Sequence, residues 1–226
     1  MERVITFGCS LTYGHGLPDC FSSPRDPGPN PSNLGWPSII AKCLDRECIN
    51  ISSPGASNKK IWNDIIHFDY QETDIVFVLW SYIERTAIIH KNSTTDIGPW
   101  TNNEDYYKKY YDKNDANLMS SLFVTHANMM LQSKNIKIYN IIPGTRELPI
   151  LQLSNITIKH IPVYMTEMRD YYPFALDNRH PGVECQIAYS KKILNFLNIE
   201  NDLPDVKELN LIDKVKRQFV EMARRD

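Results

Sequence analysis

Hydrophobic residues in this chain gather into short unbroken runs, separated by stretches with helical spacing. Residues 3–8 and Asp74-Ile75-Val76-Phe77-Val78-Leu79-Trp80 are apolar without polar alternation, which predicts strands covered on both faces. Residues 48–52 predict another strand, ended by Ser53-Pro54-Gly55, and 136–142 a further one, stopped by Pro143-Gly144. A fifth strand is expected within 156–163. Helical spacing lies between these runs. Over 36–46, Pro37 suits a first turn and Ile40 and Leu44 fall on one face. Ser57 or Asn58 can cap a helix whose stripe is Ile61, Trp62, Ile65 and Ile66. A third helix ends near Ser133, and Gly182–Asn198 predicts a fourth with Val183, Ile187, Leu194 and Leu197 inward. The charged segment 205–224 reads as a docked accessory helix bearing Leu209, Ile212, Val215, Phe219 and Met222.

Strands alternating with helices imply an α/β fold, a three-layer α/β/α sandwich on a mostly parallel sheet. Residues 1–200 form its domain, with polar inserts at about 15–36 and 90–115, and 201–226 are an appendage. Such sheets place ligands beyond the carboxyl ends of their strands. Ser10, Gly55 and Ser81 each follow an expected strand, so all three should converge on that edge.

Composition narrows the function. Of 226 residues 42% are hydrophobic and 23% charged, ordinary for a globular domain. A net charge of −2 supplies no basic field for nucleic acid or an anionic membrane. No apolar run reaches the roughly 20 residues that span a bilayer, and no signal peptide is visible, so a cytoplasmic location is expected. Five scattered cysteines (Cys9, Cys20, Cys43, Cys48 and Cys185) form no Cys-x-x-Cys pair and indicate free thiols, with no metal site and no disulfide framework. Three sequons, at Asn50, Asn92 and Asn155, read as chance matches without an export signal.

The candidate chemistry begins at Ser10. A serine hydroxyl becomes a useful nucleophile when a base takes its proton and a third group orients that base. His67 and His126 lie in expected helices, and His90 and His160 have no suggestive acidic partner. His15 follows Ser10 closely and can line a cleft, but no neighbour in sequence would orient it. His180 differs: it sits in Asp177-Asn178-Arg179-His180-Pro181-Gly182, where one turn can bring Asp177 to a ring nitrogen.

Phe7-Gly8-Cys9-Ser10-Leu11-Thr12-Tyr13-Gly14 resembles block I of the SGNH (GDSL-like) hydrolases, with Cys9 where that family usually has Asp. Ser53-Pro54-Gly55-Ala56-Ser57-Asn58 is similar to block II and Asp177-x-x-His180-Pro181 to block V, in the family's order over almost the whole chain. The resemblance implies a flavodoxin-like sheet and no cofactor. It makes Ser10 the nucleophile, His180 the general base and then acid, Asp177 its orienting partner, and the N–H groups of Ser10 and Gly55 oxyanion donors. Block III departs: Leu79-Trp80-Ser81-Tyr82-Ile83-Glu84-Arg85 lacks the Asn that usually completes the hole. Ser81 or Asn58 is the candidate replacement donor. Arg85 either pairs with Glu84 or anchors an anionic substrate.

The function these residues imply is ester hydrolysis through an acyl-serine, on a small-acyl ester or an acetylated glycan. Trp100, Asn102, Asn103, Asp105, Tyr106 and Tyr107 are candidates for a sugar-binding wall, and equally for a solvated loop. The alternative is a weakly active or inactive binding module, for example within a virion. Gly8 and Gly14 lack the spacing of a phosphate-cradling loop, which disfavours a nucleotide or flavin binder.

Overall fold

The fold is described from a computed structural model, over residues 1–91, 93–101 and 103–209. In chain order the elements are β1 (Arg3–Phe7), α1 (Ser10–Tyr13), α2 (Trp36–Cys43), β2 (Glu47–Asn50), α3 (Asn58–His67), β3 (Ile75–Leu79), β4 (Thr86–Ile89), β5 (Thr94–Ile97), α4 (Glu104–Lys109), α5 (Lys113–Ser133), β6 (Lys137–Ile141), β7 (Gln152–Leu153), β8 (Ile156–Thr157), α6 (Met165–Met168) and α7 (Val183–Phe196). The central sheet has the order β2-β1-β3-β6, with every pair parallel. Helices α2 and α7 pack together over β1 and β2, and α3 and α5 pack together against β1 and β6.

Strand composition explains the layers. Val4, Ile5, Val76, Phe77, Val78 and Leu79 are fully buried, as apolar runs between two helical layers must be. Trp36 on α2 meets Phe77 and Tyr189 edge-on at 6.2 and 6.1 Å, joining helix, sheet and helix through ring quadrupoles. A buried polar network joins α5, β6 and the end of β3. Trp80 Nε1 donates to Asn140 Oδ1 at 2.9 Å, and the amides of Asn128 and Asn140 bond each other at 2.8 and 3.1 Å. At the opposite edge of the sheet Arg3 donates twice to the buried Asp74 carboxylate, at 2.8 and 2.6 Å, a geometry suited to guanidinium.

Two expectations are corrected. The stretch 156–163 is not a fifth sheet strand: Ile156–Thr157 pairs antiparallel with Gln152–Leu153. Only His160 bridges to Asn140, with Ile161 N–H donating to Asn140 O at 2.9 Å, before Pro162 removes the next donor. The insert after Arg85 carries the antiparallel hairpin β4–β5 and the short α4, where the sequence suggested only a polar loop. Residues 201–209 run without regular structure; the rest of the expected C-terminal helix, and Asn102, lie outside the described residues.

Candidate active site

The turn after β1 dictates its residues. A Cβ at Gly8 would lie 2.1 Å from Thr12 Oγ1 and 3.1 Å from Leu79 O, so only glycine fits between the first helical turn and β3. Cys9 is extended (φ −102°, ψ −155°) and fully buried in the core, and Ser10 opens α1. Gly14 closes that turn in the left-handed region, φ 80°, donating to Ser10 O at 3.1 Å.

The second half comes from the loop before α7. Asn178 takes φ 55°, and Ala175 N–H reaches back to His180 O at 2.9 Å. Asp177 Oδ1 accepts the N–H groups of Arg179 and His180, both at 3.0 Å, and Oδ2 accepts His180 Nδ1. The other imidazole nitrogen, Nε2, lies 2.9 Å from Ser10 Oγ across a separation of 170 residues. Burial alone would raise the Asp177 pKa. The hydrogen bonds from His180 and Arg179 and the charge of His180 outweigh it and bring the carboxyl down to about 2. Asp177 therefore carries its charge at any ordinary pH, and Nδ1–H is held toward it.

The 15–36 loop closes on this pair. Leu176 N–H donates to Gly16 O at 2.9 Å, and a Cβ at Gly16 (φ 85°) would sit 2.7 Å from Asp177 Cγ. His15, which sequence left without an orienting partner, is buried and stacks on His180. Its nearness to Ser10 in sequence was the available signal; its orientation comes from a loop 160-odd positions later, which sequence does not display. The other histidines are engaged elsewhere: His67 with Asn63 O, His90 with Thr95, His126 with Trp62 Nε1 and His160 with the Tyr164 hydroxyl.

The three candidate oxyanion groups differ in how their donors are engaged. Gly55 lies just past β2 with φ 82°, and its N–H, like that of Ser10, has no partner among the described residues. Asn58 does not point an amide at the site. Its Nδ2 donates to Ser81 O and Ser120 Oγ, both at 3.1 Å, and its Oδ1 accepts Ser81 N–H at 2.6 Å. Both donors are spent on bracing the end of β3 to α3 and α5. Ser81 is fully buried, and its hydroxyl accepts Arg85 Nη1 at 3.1 Å. Glu84 pairs with Arg146 rather than Arg85. The Arg85 guanidinium instead lies 4.7 Å from the ring centroids of both Tyr82 and Trp100.

Among the described residues, His15, Asp177 and His180 are the one set of ligand atoms close enough for a metal, within 4.8 Å of one another. Zinc needs each donor at about 2.0–2.2 Å. Seating it would break the bonds that His180 makes to Asp177 and Ser10, so the arrangement favours the hydrogen-bonded relay over a metal centre.

No family model and no curated protein matches the chain by sequence. Solved structures do match in shape. A carbohydrate esterase, described as having divergent catalytic and non-catalytic binding functions, aligns at 10% identity and TM-score 0.54, over 89% of this chain and 69% of that one. An acetyl xylan esterase (Est2A) from the rumen bacterium Butyrivibrio proteoclasticus aligns at 12% and 0.55, over 87% and 63%. TesA aligns at 11% and 0.54, over 86% and 97%. At these identities the likeness speaks for architecture, and it agrees with the parallel sheet flanked by helices. The chain has the fold of the SGNH (GDSL-like) hydrolases.

Proposed function

We propose that this protein is a serine ester hydrolase acting through an acyl-enzyme on small-acyl esters, with O-acetylated carbohydrate the substrate class that suits its cleft. The observation carrying this reading is the His180 imidazole, bonded through Nδ1 to Asp177 and through Nε2 to Ser10 Oγ at 2.9 Å. Ser10 Oγ attacks the ester carbonyl while His180 Nε2 takes its proton, and Asp177 holds the ring and stabilises the imidazolium. The carbonyl oxygen, now negative, is received by the N–H groups of Ser10 and Gly55; donors of this kind contribute roughly 3–4 kcal/mol each in comparable hydrolases. His180 then passes the proton to the departing alcohol oxygen, leaving acyl-Ser10. A water deprotonated by His180 attacks that acyl carbon, the carboxylic acid leaves, and Ser10 regains its proton.

Carbohydrate is favoured by Trp100, which stays 54% exposed while packed beside Gly55. An indole there offers a sugar ring a flat apolar face next to the oxyanion donors. The same fold carries an acetyl xylan esterase and a carbohydrate esterase. A fluorophosphonate probe and p-nitrophenyl acetate test the reading: labelling at Ser10 and turnover abolished in Ser10→Ala are expected. Wild-type and Ser10→Ala proteins that behave alike would reject it. A non-catalytic binding module is the second reading, favoured by the commitment of the Asn58 amide to Ser81 and Ser120, which keeps it from replacing the Asn that block III lacks. That reading expects acetylated sugar to bind with no labelling of Ser10.

A further inference from the structure

Arg85 is held in place by two rings and a hydroxyl, with no carboxylate in direct contact among the described residues. Its guanidinium lies between the Tyr82 and Trp100 rings, 4.7 Å from each centroid, and Nη1 donates to Ser81 Oγ at 3.1 Å. No carboxylate comes within ion-pair distance of it among the described residues: Glu84 is taken by Arg146, and Lys60 pairs with Asp64. Half-buried Asp96 and buried Glu147 feel the Arg85 charge only through space; burial pushes both carboxyls upward, against the pull of Arg85. Guanidinium has five N–H donors, and among the described residues a single one is occupied.

Its position follows from its anchors. In the sheet order β2-β1-β3, Ser10 leaves the middle strand, Gly55 follows β2 and Ser81 follows β3. Arg85 touches Ser81 on one side of Ser10, and on the other it touches Trp100, whose ring would lie 3.2 Å from a Cβ on Gly55. Its contacts thus place the cation between the residues that follow β2 and β3, the strands on either side of the one that leads to Ser10, with aromatic rings beside it that lower the local dielectric and favour an anion.

We propose that Arg85 is a carboxylate-recognising subsite, and that the preferred substrate is an ester with a carboxylate on its acyl or its alcohol part. The assignment rests on the ester-hydrolase reading for its substrate. The planar fork suits two parallel N–H···O bonds to a carboxylate, and a lysine would not reproduce them. Trp100, stacked on the cation, then contributes its exposed face to the rest of the substrate.

Two matched pairs locate the carboxylate: p-nitrophenyl acetate against the p-nitrophenyl half-ester of glutaric acid for the acyl side, and O-acetylglucose against O-acetylglucuronate for the alcohol side. In one pair the wild type should favour the acidic member in kcat/KM. Arg85→Gln should lower the acidic-to-neutral ratio by about tenfold to a hundredfold, the worth of a charge-assisted hydrogen bond, and Arg85→Lys should restore it only in part. Ratios unchanged in both pairs, including equal losses on acidic and neutral esters, overturn the proposal and make Arg85 an oxyanion donor or a structural group. A second measurement is independent of turnover: glutarate and glucuronate are titrated calorimetrically onto Ser10→Ala and onto Ser10→Ala/Arg85→Gln. Binding of either acid to the first protein and not the second supports the subsite even where no ester is cleaved, which separates its fate from that of the hydrolase reading. Equal binding to both proteins, or to neither, overturns it.

Discussion

The imidazole of His15 lies flat against that of His180, with ring centroids 4.6 Å apart and planes 16° from parallel. Burial pushes the His15 pKa below its usual 6.5, and the neighbouring His180 pushes it the same way, against smaller opposing effects from Asp177 and Asp26. The folded chain therefore binds this proton less readily than the unfolded chain. Stability should fall as pH drops below about 6.5, because there the unfolded state takes up a proton that the folded state refuses. His15→Phe keeps a flat ring on His180 and removes the titration. Urea midpoints measured at pH 7 and pH 5 should drop further for the wild type than for His15→Phe; equal drops would contradict this.

Asp177 gives the opposite kind of titration. Its carboxyl is held at about 2 against an ordinary 3.8, so its interactions stabilise the fold above about pH 4 and are lost as pH falls through about 2. The shift corresponds to roughly 2 kcal/mol. Asp177→Asn should lower esterase turnover by about 10²–10⁴-fold through loss of the correct His180 tautomer. It should also flatten the loss of stability between pH 4 and pH 2 that wild type shows in urea denaturation. Turnover near the wild-type level would remove Asp177 from the relay.

Asn58 distinguishes a brace from a donor. Asn58→Leu removes three hydrogen bonds and leaves the buried Ser81 N–H and C=O unpaired, which should cost about 2–4 kcal/mol of stability. A variant with unaltered urea midpoint and a large fall in kcat would mean that the amide reaches substrate after all.

Gly55→Ala tests the oxyanion side. At φ 82° an alanine is strained by about 1 kcal/mol, and its methyl would press on Trp100 at 3.2 Å. Turnover of p-nitrophenyl acetate should fall by tenfold or more as the N–H is displaced, with a change in tryptophan emission as the indole shifts. Unchanged kcat would place the oxyanion elsewhere.

Much of this site was legible before any coordinates, for identifiable reasons. Ser10, Gly55 and Ser81 follow apolar runs dense enough to mark strand ends, and parallel strands bring those ends to one edge. Asp177 and His180 are close in sequence, so one turn joins them. What stayed hidden depends on pairs distant in sequence. The stacking of His15 on His180 needs the docking of two loops, and the role of Asn58 is fixed by Ser81 and Ser120 on other elements. The β4–β5 hairpin escaped because Thr94-Thr95-Asp96-Ile97 alternates over too few positions to stand out from a polar loop. The fifth strand was overcounted because apolar periodicity does not register that Pro162 ends the edge pairing.

The 170 residues between Ser10 and His180 have a consequence for how the protein is made, if the proposed hydrolase reading holds. A chain synthesised from its N-terminus exposes Ser10 long before the loop at 177–182, and on that reading the hydroxyl stays as unreactive as any free serine until α7 docks and brings that loop to it. Nascent and truncated chains ending before residue 177 would then be inert toward esters, and hydrolysis would report completed folding as directly as any spectroscopic probe.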